Sequence, residues 1–146
     1  MTLGSDSPII VLTARMLAPF IQLFALYVVS HGHYSPGGGF QGGAMFAASV
    51  VLMRLVAGSA VGQVQFKSLW AVPLAVFGMF VYAGAGLLSM AMGGHYLDYD
   101  FLPMTWLDYP ARHSFGILIV EAGVALGVTA TMILLYDALI EGRADD

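Results

Sequence analysis

The run Ser114–Asp137, SFGILIVEAGVALGVTATMILLYD, decides the fold. Before its terminal Asp137 it carries one charge, Glu121. The hydrocarbon core of a bilayer is about 30 Å thick and takes about 20 helical residues to cross, so this run is long enough to span it. It lacks the alternating ten-residue pattern of a barrel strand. Backbone groups in lipid must be satisfied within the segment, which leaves a helix. Three more runs have this character, roughly Ile9–Val29, Phe40–Ala57 and Leu69–Met92. The chain therefore reads as an all-α membrane protein with about four transmembrane helices, one integral membrane domain over residues 1–146.

Composition points the same way. Hydrophobic residues make up 59% of the chain and charged residues 10%, with mean hydropathy +0.82. A soluble domain needs more charge than that to cover its surface. Cysteine is absent, which excludes disulfides, thiolate chemistry and cysteine-ligated clusters. The formal charge of −4 offers no basic footprint for nucleic acid. Asp6, not a basic segment, precedes the first run, and that run is too long for the core of a signal peptide. It is expected to be a retained helix.

The connection His31–Gly39 is short, which makes the first two helices neighbours, and Gly58–Ser68 is also short. Gly93–His113 is longer and holds Tyr96, Tyr99, Phe101, Trp106 and Tyr109, an aromatic belt for the membrane interface. With four spans, Arg15, Arg54, Lys67 and Arg143 fall on one side. Arg112 falls on the other, with Asp98, Asp100 and Asp108. The positive-inside rule predicts that both termini are cytoplasmic. The second and fourth helices differ in polar content, so no inverted repeat is read here.

The segment from His31 to Gly43, HGHYSPGGGFQGG, is the most unusual in the chain. Gly37, Gly39 and Gly42 match GxGxxG in letters only. A dinucleotide site needs a preceding strand, where here there is a membrane span, and a Walker loop needs a lysine. The mechanical reading is a reversal. Pro36 holds Ser35 extended, the glycines turn the chain, and Gly42 and Gly43 leave the start of helix two bare for close packing. A second reading has the start of that helix lining a polar cavity or an ion path.

Arg15 and Glu121 are the two evident charges inside spans, and such residues mark a function or a buried pair. Arg15 lies about 9 Å from the cytoplasmic edge and Glu121 about 10 Å from the outer edge, so their levels differ by roughly 10 Å. The expectation for Arg15 is an interfacial or inter-subunit charge. Glu121 is too short to reach the interface, and its neighbours in the span offer no counter-charge. Depth counting sets it level with Gln22, Tyr82 and Met45. Two states fit: a protonated carboxyl in a dry pocket, or a carboxylate facing a cation or water chain from a neighbouring subunit. Gly116, Gly123 and Gly127 give the same helix a small face for close packing. His31, His33, His95 and His113 all map to the outer side. No three have metal-ligand spacing, but His31 and His33 suit a proton path. No nucleophile and base stand at a readable spacing.

Tyr27 and the stretch His31-Gly32-His33-Tyr34-Ser35-Pro36-Gly37-Gly38-Gly39-Phe40-Gln41-Gly42-Gly43 resemble the hGH-x-x-PGGGF-x-GG signature of the MnhB/MrpB family. Arg15 with Pro19, and the run from Gly116 through Glu121 to Val124, are similar to that family's first and last helices. The resemblance implies a small, non-catalytic membrane subunit of an Mrp-type multisubunit antiporter. Such an antiporter exchanges Na⁺ for H⁺ in a prokaryotic cell membrane. The subunit would pack beside larger antiporter-like subunits and help form the ion-translocation pathway, with no cofactor of its own. Gln41 resembles the relatives in membrane-bound hydrogenase-type complexes, so a redox-driven parent complex is the alternative. A scaffold or assembly subunit without a transport role is the third reading. A self-contained transporter would need a repeat or a polar central site.

Overall fold

The computed structural model describes residues 7–144 apart from 33, 35, 36 and 105. Among these residues five helices run α1 Pro8–Ser30, α2 Gly39–Ala57, α3 Ser59–Gln65, α4 Ala71–Ala91 and α5 Tyr109–Ala144. Single 3₁₀ turns, Ser68–Trp70 and Tyr99–Phe101, precede α4 and interrupt the α4–α5 loop. Among the described residues four helices are long and apolar enough to cross a membrane: Pro8–Ser30, Gly39–Ala57, Ser68–Ala91 and Tyr109–Ile140. The described residues contain no strand.

The structure differs from the sequence reading at the second connection and at the last helix, which runs past Asp137 to Ala144. The last helix starts at Tyr109 rather than Ser114. Pro110 sits in its first turn, where a missing N–H costs nothing, and the Arg112 N–H donates to the Asp108 carbonyl at 2.9 Å. The polar pair Arg112 and His113 hides that start in the sequence. The second connection is not a bare loop, because α3 fills it. Gly58, with φ +87°, takes the left-handed backbone that ends α2 and turns the chain into α3.

The helices pack in the order α1, α2, α5, α4. α2 and α5 are the inner pair, and the buried residues of α2 include Gly39, Gly42, Gly43, Ala47, Val50 and Arg54. α1 buries only Ala14, Ala18 and Ala25. Large apolar side chains such as Phe20, Leu23, Phe77, Met79 and Phe80 point outward. This inverts the plan of a soluble core. In lipid no hydrophobic force drives helices together, so small residues that let backbones approach take the inner faces. Thr129 ties α5 to α2 by donating its hydroxyl to the Gly43 carbonyl at 3.0 Å.

Gly78 makes the tightest crossing of α4 on α5. A Cβ there would lie 2.6 Å from the Gly127 nitrogen and 3.0 Å from its Cα. One at Gly123 would meet the Gly78 carbonyl oxygen at 3.0 Å. Gly78→Val is expected to destabilise the bundle by about 1–3 kcal/mol, the usual cost of overpacking. A lowered thermal midpoint of the purified protein in detergent checks it; an unchanged midpoint would mean that α4 can lift off freely.

Candidate functional site

The site is built where α5 meets the α1–α2 hairpin. Glu121 lies about 18 Å along α5 from Tyr109, at 1.5 Å per residue. Its carboxylate sits against Gly32, just past the end of α1, and Gly38, the residue that caps α2. A Cβ on either glycine would overlap the carboxylate oxygens. Gly39 approaches more closely still, since a Cβ there would overlap the Glu121 backbone carbonyl. These three glycines form a cradle around one acid. The hairpin signature and the deep carboxylate, separate features in the sequence, are two halves of one site.

The cradle is also an electrostatic device. The first hydrogen bond into α2 runs from the Gly42 N–H to the Gly38 carbonyl at 2.9 Å. The N–H groups of Gly39, Phe40 and Gln41 come before it and have no acceptor within the helix. Glu121 therefore faces the positive end of the α2 dipole. The remaining glycines serve packing. Gly42 lies on Ala25 and Val29 of α1, Gly43 on Ala125 of α5, and Gly37 makes room for the Gln41 side chain. Phe40 is exposed.

The α4–α5 loop covers the same end. Tyr99 packs over Gly116, whose Cβ would meet the ring at 2.7 Å. Gly116 thus receives a loop aromatic rather than a helix, because the 3₁₀ turn folds back onto α5. Burial pushes the Tyr99 phenol above its ordinary value, with Tyr82 and then Glu121 adding to the rise. Tyr99 keeps its proton at neutral pH and can donate it in a hydrogen bond. Its ring stands edge-on to His113, with centroids 5.4 Å apart. His113 Nδ1 lies 3.6 Å from Asp100 Oδ1, and both side chains reach solvent.

The other sequence candidates are dispersed. His31 stacks on Tyr27 at 4.1 Å between centroids, with Nδ1 3.2 Å from the Tyr27 carbonyl, and is exposed. His33 and Pro36 lie outside the described residues. Tyr82 lines an apolar groove of about 500 Å³ between α4 and α5 and touches Tyr96. Gln22 and Met45 are not level with Glu121. α1 meets Gly42 through Ala25 and Val29, so Gln22 lies a further turn from the hairpin, and Met45 lies well past Gly39 along α2. The depth count fails because it places the hairpin outside the bundle, whereas the hairpin lies against Glu121, well along α5. Arg15 is exposed on α1, away from Glu121. Among the described residues no three of His, Asp and Glu gather as a metal site.

A second polar cluster lies at the opposite end of the α2–α5 contact. Arg54, with 1% of its side chain exposed, pairs with Asp137. Arg54 Nη2 donates to the Phe66 carbonyl at 2.7 Å. The Ser68 hydroxyl donates to Asp137 Oδ2 at 2.5 Å and accepts from Gln63 Nε2 at 2.6 Å. α3 crosses over Arg54 at Gly62, where a Cβ would overlap the arginine side chain.

Residues 9–134 match the family described as "Domain related to MnhB subunit of Na+/H+ antiporter". The chain belongs to the MnhB family. It is 33% identical over 141 residues to a Na(+)/H(+) antiporter subunit of Bacillus subtilis, covering 85% of this chain and 92% of that one. It is 28% identical over 142 residues to the antiporter subunit of the same name from Alkalihalophilus pseudofirmus, covering 89% and 94%. An uncharacterized protein of Methanocaldococcus jannaschii is 34% identical over 94 residues, 64% of this chain and 36% of that longer protein.

The Arg54–Asp137 pair of this MnhB-family chain escapes the sequence reading, which counts Arg54 as a loop-side cation and Asp137 as the end of a span. Register joins them. Arg54 lies about 22 Å along α2 from Gly39, and Asp137 about 24 Å along α5 from Glu121, at 1.5 Å per residue. Gly39 touches Glu121, so the two charges are at matching depth. That contact is the anchor the sequence lacks.

Proposed function

We propose that this chain is a non-catalytic subunit of a multisubunit Na⁺/H⁺ antiporter in a prokaryotic cell membrane. In this reading Glu121 is its ion-handling group. The observation that carries it is the glycine cradle. Three positions give up side chains so that one carboxylate can sit at a helix N-terminus inside a membrane protein. The membership in the MnhB family supports the antiporter assignment.

The chemistry follows from two opposed effects. The α2 N-terminus attracts negative charge, worth about 0.3–1 kcal/mol for an exposed group and up to about 2 kcal/mol for a partly buried one. The apolar bundle penalises charge. A group between them can take up a proton or a sodium ion and release it again. His113, Asp100 and Tyr99 give the approach from the aqueous side, the first two reaching solvent and the third packed beneath.

Glu121→Gln keeps shape and hydrogen bonding but removes the ionisable group. Membrane vesicles carrying the assembled complex with this change are expected to lose Na⁺/H⁺ exchange down to the vesicle background. Native gels should still show the intact complex. Exchange at the wild-type rate would sink the direct ionic role and leave a scaffold.

A further inference from the structure

The outward face of α1 carries charge that its own fold does not answer. α1 stands at the edge of the bundle and packs on α2, with a minor contact to α5. Leu12, Arg15, Met16, Pro19, Phe20 and Leu23 are all exposed along it. Arg15 lies about 10 Å along the helix from Pro8, at 1.5 Å per residue. α1 holds no acidic residue. Asp137 is engaged by Arg54, and Glu121 lies in the hairpin cradle. The described residues give Arg15 no ion pair.

Pro19 adds a second polar group at the same place. It has no N–H, so the Arg15 carbonyl loses the donor that a regular helix would supply four residues on. Both residues are exposed, and four positions apart they share one side of α1. Hydrocarbon offers neither a counter-charge nor a donor. An arginine can stretch its side chain to lipid phosphates at the interface. A backbone carbonyl cannot, so a lipid headgroup answers only half of the site.

We infer that the outward face of α1 docks a membrane helix of a different subunit, and that this helix brings an Asp or Glu side chain to Arg15 and a hydroxyl or amide donor to the Arg15 carbonyl. The charge complementarity sets the chemistry of the partner. A second copy of this chain docking through the same face would set Arg15 against Arg15. The flanking Leu12, Met16, Phe20 and Leu23 supply the apolar remainder of the interface.

The chain has no cysteine, which makes the test direct. Met16→Cys, labelled with a benzophenone maleimide, is irradiated in native membranes holding the whole complex. The expected product is a protein adduct whose cross-linked peptide, by mass spectrometry, lies in a membrane span containing Asp or Glu. Arg15→Glu should abolish co-purification of that subunit, Arg15→Lys should retain it, and changing the partner's carboxylate to Lys should restore it in the Arg15→Glu background. An adduct with lipid alone, with a second copy of this chain, or with a span lacking an acid would overturn the assignment. So would an intact complex with Arg15→Glu. The adduct is read with Arg15 in place, so a poorly inserted Arg15→Glu chain does not decide the matter. Neither readout measures ion exchange, so this inference and the role of Glu121 fail separately.

Discussion

Gly38→Ala is expected to stop Na⁺/H⁺ exchange while leaving the chain in the membrane and the complex assembled. The added Cβ collides with the Glu121 carboxylate, not with backbone. A carboxylate at the end of a flexible side chain can rotate away at small cost. The bundle survives, but the acid leaves the α2 N-terminus. Gly32→Ala meets the same carboxylate and should act alike. Gly39→Ala should differ in kind. Its Cβ meets the Glu121 backbone carbonyl, which cannot rotate away without shifting α5 against α2. Overpacking of this sort costs about 1–3 kcal/mol and sometimes more. The expected result there is a low level of the chain on immunoblots and loss of the complex on native gels. The three neighbouring glycines thus separate two phenotypes. Gly38→Ala combined with Glu121→Gln should be no worse than either change alone, because both remove one function. Normal exchange in Gly38→Ala vesicles would mean that the place of the carboxylate does not matter.

The four spans were legible because lipid imposes a simple rule. A segment that crosses must be long, apolar and internally bonded, and the runs around Ile9, Phe40, Leu69 and Ser114 meet it. Helix order was only partly legible. The short His31–Gly39 connection makes α1 and α2 neighbours, but nothing in the letters places α5 between α2 and α4. The reason is that the helix faces are written in glycine and alanine, and small residues signal close approach without naming a partner. Glu121 stood out as a deep charge, and the glycine hairpin as a signature. Their union did not, because it depends on how far α5 slides along α2, which periodicity does not encode. The same missing register hid Asp137 from Arg54. One long-range contact, Gly39 on Glu121, sets both.

Asp137→Ala is expected to destabilise the bundle more than any surface change, by about 3–5 kcal/mol, the usual cost of stranding one partner of a buried ion pair. Arg54 is almost wholly buried, and its Nη2 reaches only neutral acceptors, the Phe66 carbonyl and the Ser68 hydroxyl. Without Asp137 its charge has no counter-ion within reach among the described residues. Ser68 would lose its acceptor too, loosening the turn between α3 and α4. The double change Arg54→Met with Asp137→Leu should recover most of the loss, since replacing both charges with apolar groups is often neutral or favourable. Thermal midpoints of the purified variants in detergent supply the comparison. Equal midpoints for the single and double variants would mean that the pair is not coupled. The cluster lies about 24 Å along α5 from Glu121, at 1.5 Å per residue. Whatever complex the double variant assembles should therefore exchange ions at the wild-type rate per assembled unit. A fall in that rate would carry the ion path from the glycine cradle down the α2–α5 contact to Arg54, and Asp137 would then be a second ion-handling carboxylate.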